Sequence, residues 1–309
     1  MDQEKLNEIV AEVLRDLAAS EAARLASSQS QPASIQPASA PRIAASSKDV
    51  NIDLPDPTAD EYRYKAQVES PANVFALPEL IKSTTARIGV GRSGPRYKTS
   101  SLLLFQGDHA VTQDALYRDV DQHLLDEFGL FTVQTRVSEG KDEYLLRPDL
   151  GRQLNEEAKR MISERCVSSP NVQIVVGDGL SAAAIEANLR SIFPVMRQGF
   201  QTAGLVVGTP FYIKYCRVGV MNDIGDLLHP DVLVLLIGER PGLGRAESMS
   251  AYMGYRPRSG QNDADRDVVC NIFENGGTNP LEAGAFIVQL AQKMIQQQAS
   301  GVKLKLATR

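Results

Sequence analysis

Apolar positions along this chain follow two periods. Residues 232–237 (VLVLLI) form an unbroken apolar run that stops at Gly238-Glu239-Arg240-Pro241-Gly242. Such a run reads as a strand buried on both faces. VQIVV (172–176) reads the same way, and FTVQTRV (131–137) alternates as a strand should. FYIKYCRVGV (211–220) and ESMSAYMGYR (247–256) are strand-like. Helical spacing governs SSLLLFQGDHAVTQDALYRDV (100–120) and RPDLGRQLNEEAKRMISERC (147–166), the latter opened by Pro148 and Asp149. GDGLSAAAIEANL (177–189) runs from a strand end into a helix, and Pro194 is expected to start another. NDIGDLL (222–228) predicts a short helix, and TNPLEAGAFIVQLAQKMIQQQAS (278–300) a long amphipathic one.

Strands alternating with helices predict an α/β fold, a mostly parallel sheet with helices on both faces. Ligands in such sheets bind beyond the carboxyl ends of the strands. Two of those ends carry glycines beside an acid, Gly177-Asp178-Gly179 and Gly238-Glu239. Glycine there lets backbone come close to a ligand. The carboxylate can accept hydrogen bonds from hydroxyls or amides.

Residues 1–20 stand apart. Leu6, Ile9, Val10, Val13, Leu14 and Leu17 make one narrow apolar stripe on an amphipathic helix. Residues 21–48 are rich in Ser, Ala, Gln and Pro and read as a flexible linker. A tethered helix of this kind either folds back on the body or docks in a groove on another protein, and the long featureless linker points to docking. Its acidic residues, Asp2, Glu4, Glu8, Glu12 and Asp16, argue against a mitochondrial presequence. Residues 49–100 read as an extended arm that contacts a partner chain, and 101–309 as the globular body.

Composition narrows the chemistry. A net charge of −5 spread along 309 residues leaves no basic stripe for nucleic acid. No stretch approaches the roughly 18 apolar residues of a membrane span. Cys166, Cys216 and Cys270 are far apart and form no CxxC pair, which fits reduced thiols better than zinc. Gly89, Gly91 and Gly94 match GxGxxG, but Pro95 follows where a helix should open, so the dinucleotide fingerprint is poor. No phosphate loop, GxSxG elbow or HExxH is present. Asp108-His109 is suggestive as an acid–base pair, yet neighbours on a helix face different ways. Asp178 reads as a base or as the cap of the helix that follows. His229, before Pro230, reads as a helix end. A ligand-binding pattern without its own catalytic set suggests a cofactor-holding subunit.

A denser signal comes from ARIGVGRSGPRYKT (86–99), YLLRPDLGRQL (144–154), VQIVVGDGLSA (172–182), LLIGERPGLG (235–244), ESMSAYMGYRPR (247–258) and GGTNPLEA (276–283). Through these the sequence resembles the small (light) subunit of ethanolamine ammonia-lyase over roughly residues 80–300. That family implies a Rossmann-like fold and adenosylcobalamin (coenzyme B12) as cofactor. It implies conversion of ethanolamine to acetaldehyde and ammonia by radical chemistry, with the substrate held by a TIM-barrel large subunit. The small subunit closes over the cobalamin at the interface. Carried onto this chain, the cobalamin contacts fall on Val218, Glu239 and the segment 265–272. Relatives often have Cys where this chain has Val268, and Cys270 stands two residues on. The side-chain role is therefore open between Val268 and Cys270. DxHxxG, which in many cobalamin proteins brings a histidine to cobalt, is only approached by Asp121-Gln122-His123, without the Gly. The cofactor should then keep its own base. The resemblance also implies a bacterial microcompartment in the cytoplasm, with residues 1–20 addressing its shell or core proteins, and a reactivating factor as a further partner. Two other readings stay open: a stand-alone Rossmann-like enzyme binding nucleotide at GVGRSG, and a purely structural subunit.

Overall fold

The computed structural model describes residues 59–84, 86–242, 245–274 and 276–307. The expected helix over 1–20 and linker over 21–48 lie outside them. The described residues all belong to one compact unit. It begins with two short helices, α1 (Asp60–Arg63) and α2 (Ala76–Lys82), and a small hairpin, β1 (Arg92–Ser93) with β2 (Arg96–Tyr97). Then come α3 (Thr99–Tyr117), α4 (Gln122–Glu127), β3 (Phe131–Gln134), α5 (Lys141–Leu146), α6 (Glu156–Arg165), β4 (Val172–Gly177) and α7 (Ala182–Thr202). The chain continues through β5 (Phe211–Lys214), α8 (Val220–Leu228), β6 (Val232–Gly238), β7 (Met249–Tyr255), β8 (Arg266–Ile272), α9 (Pro280–Gln297) and α10 (Gly301–Ala307).

The main sheet has the order β3-β5-β4-β6-β7-β8. The first four strands are parallel; β7 and β8 are antiparallel additions at one edge. The sequence reading expected parallel strands throughout most of the sheet. Among the described residues the connection from β6 to β7 contains no helix, and it is too short for the crossover a parallel strand needs, so β7 folds straight back. The unbroken apolar pattern of β4 and β6 is accounted for by position. Each has neighbours on both edges and every residue buried. Side chains of alternating parity separate two cores. Ile174, Val176, Val234 and Leu236 face α7 and α9, while Val175, Leu233 and Leu235 face α6 and α8. Each fully buried aliphatic side chain contributes on the order of 2 kcal/mol.

Several helix and strand boundaries differ from the sequence reading, among them the strand expected over 131–137, which ends at Gln134. The expected helix over 147–166 begins only at Glu156, where Asn155 caps it by accepting from Ala158 N at 2.7 Å. Residues before it form a single tight turn, Leu150–Arg152. Pro194 starts no helix but lies inside α7, whose flanking Ile192, Phe193 and Met196 are buried in the core. Packing there outweighs the hydrogen bond that proline removes. The strand expected over 211–220 stops at Lys214, because Tyr215 takes a left-handed conformation with φ 59°.

Helix α3 inverts the usual pattern. Its buried residues are Ser101, Asp108 and Ala115, while Leu102, Leu103 and Tyr117 are exposed. Asp108 is ion-paired with Arg87, whose guanidinium also lies 5.0 Å from the Phe105 ring centroid. His109 is exposed, so the suggestive Asp-His pair splits between two faces. The glycines of GVGRSG serve the chain itself: a side chain at Gly89 would meet Ile81, and one at Gly91 would meet Gln67 and Lys98.

Candidate functional site

Strand β6 delivers Glu239 to the carboxyl end of the sheet, where β7 begins and β8 ends. The half-buried carboxylate is held by three donors. Ser248 Oγ donates to Oε2 at 2.6 Å, Ser250 Oγ donates to Oε1, and Asn271 N reaches Oε1 at 3.2 Å. Glu239 N in turn donates to Ser248 O at 3.0 Å. The amide of Asn271 is presented by a bulge. Pairing slips between Met249 and Ala251, and Asn271 is left-handed with φ 55°. A carboxylate offers about four acceptor positions, so one on Oε2 remains open. Neither Arg240 nor a helix terminus is its partner in this arrangement.

Val268 and Cys270 lie two apart on the edge strand β8, and both side chains are exposed. Val268 is paired across the sheet with Tyr252 of β7. Burial is the main cause that raises the pKa of Tyr252, with the charges of Asp263, Glu239 and Cys270 adding to it. Val218, in the turn that leads into α8, lines with Tyr252 a cavity of about 510 Å³. Its wall also includes Asn222, Gln261, Arg217 and Arg266. Of the four residues carried over from the resemblance, Val218 lines this cavity with Tyr252, while Glu239, Val268 and Cys270 lie outside its lining and neighbour Tyr252 along β6 and β8. Tyr252 itself was missed in the sequence, where it appears only inside a strand-like run; its pairing opposite Val268 is a long-range fact.

Two arginines of the cavity wall each keep one nitrogen without an acceptor. Arg266 is almost entirely buried, its two terminal nitrogens held by Asp263 Oδ1 at 2.7 Å and Asn222 Oδ1 at 2.9 Å. Its Nε has no partner, and neither does the buried Nε of Arg217. Carbonyl oxygens suit such donors. A ligand rimmed with carboxamides fits the open position on Glu239, since it brings N–H groups for the carboxylate.

The other acidic candidate has a different task. Asp178 is fully buried and caps no helix. Ser181 takes that role, accepting from Ala184 N at 3.3 Å. Asp178 instead accepts from Tyr215 N at 2.9 Å and Cys216 N at 2.8 Å, with Lys141 Nζ at 3.1 Å. Burial raises its pKa, against the pull of Lys141 and the two amides. The glycines at these strand ends approach the protein's own atoms rather than a ligand. A side chain at Gly179, whose φ is +57°, would collide with Gly238 O, and one at Gly238 would collide with Ser181 O. That contact brings the ends of β4 and β6 into direct backbone contact. His229 ends α8 in a left-handed conformation, donating N–H to Gly225 O at 3.0 Å. Asp121 caps α4 by accepting from His123 N at 3.0 Å. Among the described residues no histidine lines the cavity, no group of side chains is arranged to hold a metal ion, and no helix is long and apolar enough to cross a membrane.

Residues 76–305 match the family described as Ethanolamine ammonia-lyase light chain (EutC). The chain is 45% identical over 252 residues to the ethanolamine ammonia-lyase small subunit of Clostridium perfringens, covering 82% of this chain and 85% of that protein. The small subunit of Clostridium tetani is 46% identical over 253 residues, and that of Listeria monocytogenes 44% over 252, each again covering 82% of this chain and 85% of the relative. Ethanolamine ammonia-lyase is a lyase built from more than one kind of chain, and this chain belongs to the family of its light, or small, subunit.

Proposed function

We propose that this chain closes over adenosylcobalamin where it meets the large subunit of ethanolamine ammonia-lyase, and that the assembly converts ethanolamine to acetaldehyde and ammonia. The observation that carries this reading is the open acceptor position of Glu239 beside Tyr252, with Val268 and Cys270 exposed on the neighbouring strand and Val218 on the cavity that Tyr252 also lines. Glu239 accepts an N–H from a peripheral carboxamide at its open position. Val218, Val268 and Tyr252 provide apolar contact and exclude water, and Cys270 flanks the same face. When bound, the cofactor supplies radical chemistry through homolysis of its cobalt–carbon bond. The chain's own part is to bind, orient and shield. The order β5-β4-β6 in the parallel half supports the Rossmann-like description, since it repeats the 2-1-3 arrangement of doubly wound folds.

A TIM-barrel large subunit would carry the residues that hold ethanolamine. Its docking surface on this chain is the arm with α3, where Val68, Tyr97, Leu102 and Leu103 are exposed together with a buried polar side. Exposed apolar area of this kind marks an interface. Residues 1–20 would address the enzyme to a bacterial microcompartment. Deleting them should leave lyase activity intact and abolish encapsulation, as followed by fractionation of the compartments; equal packaging of the truncated chain would refute the address.

The cofactor assignment is tested by titrating cyanocobalamin into the assembled two-subunit complex and following its visible absorption. Loss of a charge-assisted hydrogen bond is worth roughly 1.5–3 kcal/mol, so Glu239→Ala should weaken binding at least about tenfold. The engaged state of Glu239 favours one competing reading, a staple for the ends of β6, β7 and β8. Under that reading Glu239→Ala lowers thermal stability and leaves cobalamin affinity where it was.

A further inference from the structure

We infer that Asp178 is a positioning residue, fixing the turn that presents Val218 and thereby the cobalamin contact proposed above, on which this inference rests. Residues 215–219 connect β5 to α8, and nearly every backbone group in the turn's first half is tied down. Tyr215 N and Cys216 N donate to the two oxygens of Asp178 at 2.9 and 2.8 Å. Thr135 Oγ1 donates to Tyr215 O at 3.0 Å, and Tyr144 Oη donates to Cys216 O at 2.7 Å. Arg217 N donates to Gly151 O at 2.8 Å. The next residue is Val218, on the cavity wall.

The turn is also gripped by shape. A Cβ at Gly177 would lie 2.6 Å from both Cβ and Sγ of Cys216. One at Gly151 would lie 2.7 Å from Arg217 Cγ and 2.9 Å from Tyr215 O. The turn therefore threads a slot walled by two glycines, and only glycine leaves room for it. These are the glycines of VVGDGLSA and RPDLGRQL, which gives those two motifs a common task. Tyr215 sits in a left-handed conformation that a bulky residue adopts only when its surroundings impose it. The imposing group is a carboxylate with no solvent exposure, neutralised by Lys141, whose ammonium lies 5.5 Å from the ring centroids of both Tyr144 and Tyr215. Arg217 stacks on Tyr144 at 4.2 Å and donates to its backbone carbonyl at 3.3 Å. Buried ion pairs contribute little net stability compared with apolar packing. What this one does contribute is a single conformation for the segment that ends at Val218.

The test uses the assembled complex and cyanocobalamin, with affinity read by equilibrium dialysis and folding by thermal unfolding. Asp178→Asn preserves volume but sets an amide NH2 against a backbone N–H, which pushes the turn away. Its Kd should rise about tenfold. Tyr144→Phe removes only the hydroxyl that holds Cys216 O and should shift Kd the same way by less; it decides the matter alone if Asp178→Asn does not assemble. Phe200→Leu, in the core on the other face of the sheet, is a stability control that should lower Tm without changing Kd. If Val218→Asp weakens binding while Asp178→Asn and Tyr144→Phe stay within twofold of wild type, Asp178 merely supports the fold and the inference is overturned. It is equally overturned if Phe200→Leu shifts Kd as much as they do at equal loss of Tm. If Val218→Asp leaves Kd unchanged, the cobalamin reading itself fails and takes this one with it.

Discussion

The acidic residues at two strand ends each follow a glycine in the sequence and have opposite roles in the fold. Glu239 is half-buried with an acceptor position to spare, whereas every oxygen of Asp178 is engaged inside the protein. In the sequence Asp178 reads as a base or as the cap of α7, and the structure gives the cap to Ser181 instead. Choice came from Tyr215 and Cys216, whose amides arrive from 37 and 38 residues away. The three cysteines sort themselves as sharply. Cys270 is exposed on the edge strand; Cys216 is fully buried, and burial pushes its thiol well up. Burial raises Cys166 to about 11, with Arg165 pulling slightly the other way. Thiolate is the reactive form, so at pH 8 iodoacetamide should label Cys270 in the assembled complex well before Cys166, and Cys216 last. Saturating cyanocobalamin should slow labelling of Cys270 specifically, as read by peptide mass spectrometry. Unchanged labelling of Cys270 with cobalamin present would remove it from the contact set and leave that role to Val268.

Elements were legible where one local signal sufficed. β4 and β6 are predominantly apolar runs because they are central strands, and α9 declares itself through its amphipathic period, with Asn279 capping it and Pro280 in its first turn. β8 was illegible as a strand. Its sequence RDVVCNI has no alternation of apolar and polar positions: Arg266, Asp267 and Asn271 interrupt it, one side of this edge strand is open, and a bulge shifts the register before the last pair, Met249 with Ile272. β5 was read too long for the reverse reason. YCRVGV has strand propensity throughout, yet Asp178 captures two of its amides and bends it. Both misreadings fall at the candidate site, as expected where long-range contacts override local preference. The positions of Val218 and Glu239 could be carried over from the resemblance. That Tyr252 stands between them, opposite Val268, depends on an antiparallel register that no periodicity announces.

At the scale of the whole molecule, burial concentrates ionisable groups of one kind. Tyr144, Tyr212, Cys216 and Cys166 all have their pKa values raised, in each case with burial as the main cause. Each is an acid whose neutral form the folded state prefers. Its contribution to stability is therefore complete below the pKa it has in the unfolded chain, ~8.5 for Cys and ~10 for Tyr. Above those values the unfolded chain releases protons that the folded chain retains, and stability falls as pH rises. Thermal unfolding of the complex should thus show a Tm nearly level from pH 7 to 8 and declining steadily from pH 9 to 11. Tyr144→Phe separates the two parts of this effect. At pH 7 it should cost about 1 kcal/mol, the hydrogen bond to Cys216 O. Between pH 9 and 11 its Tm should fall less steeply than that of the wild type, because one buried phenol no longer needs to stay protonated. Parallel declines for the two proteins would mean that Tyr144 ionises as freely in the folded chain as in the unfolded one, and the slot around residues 215–217 would then be open to water.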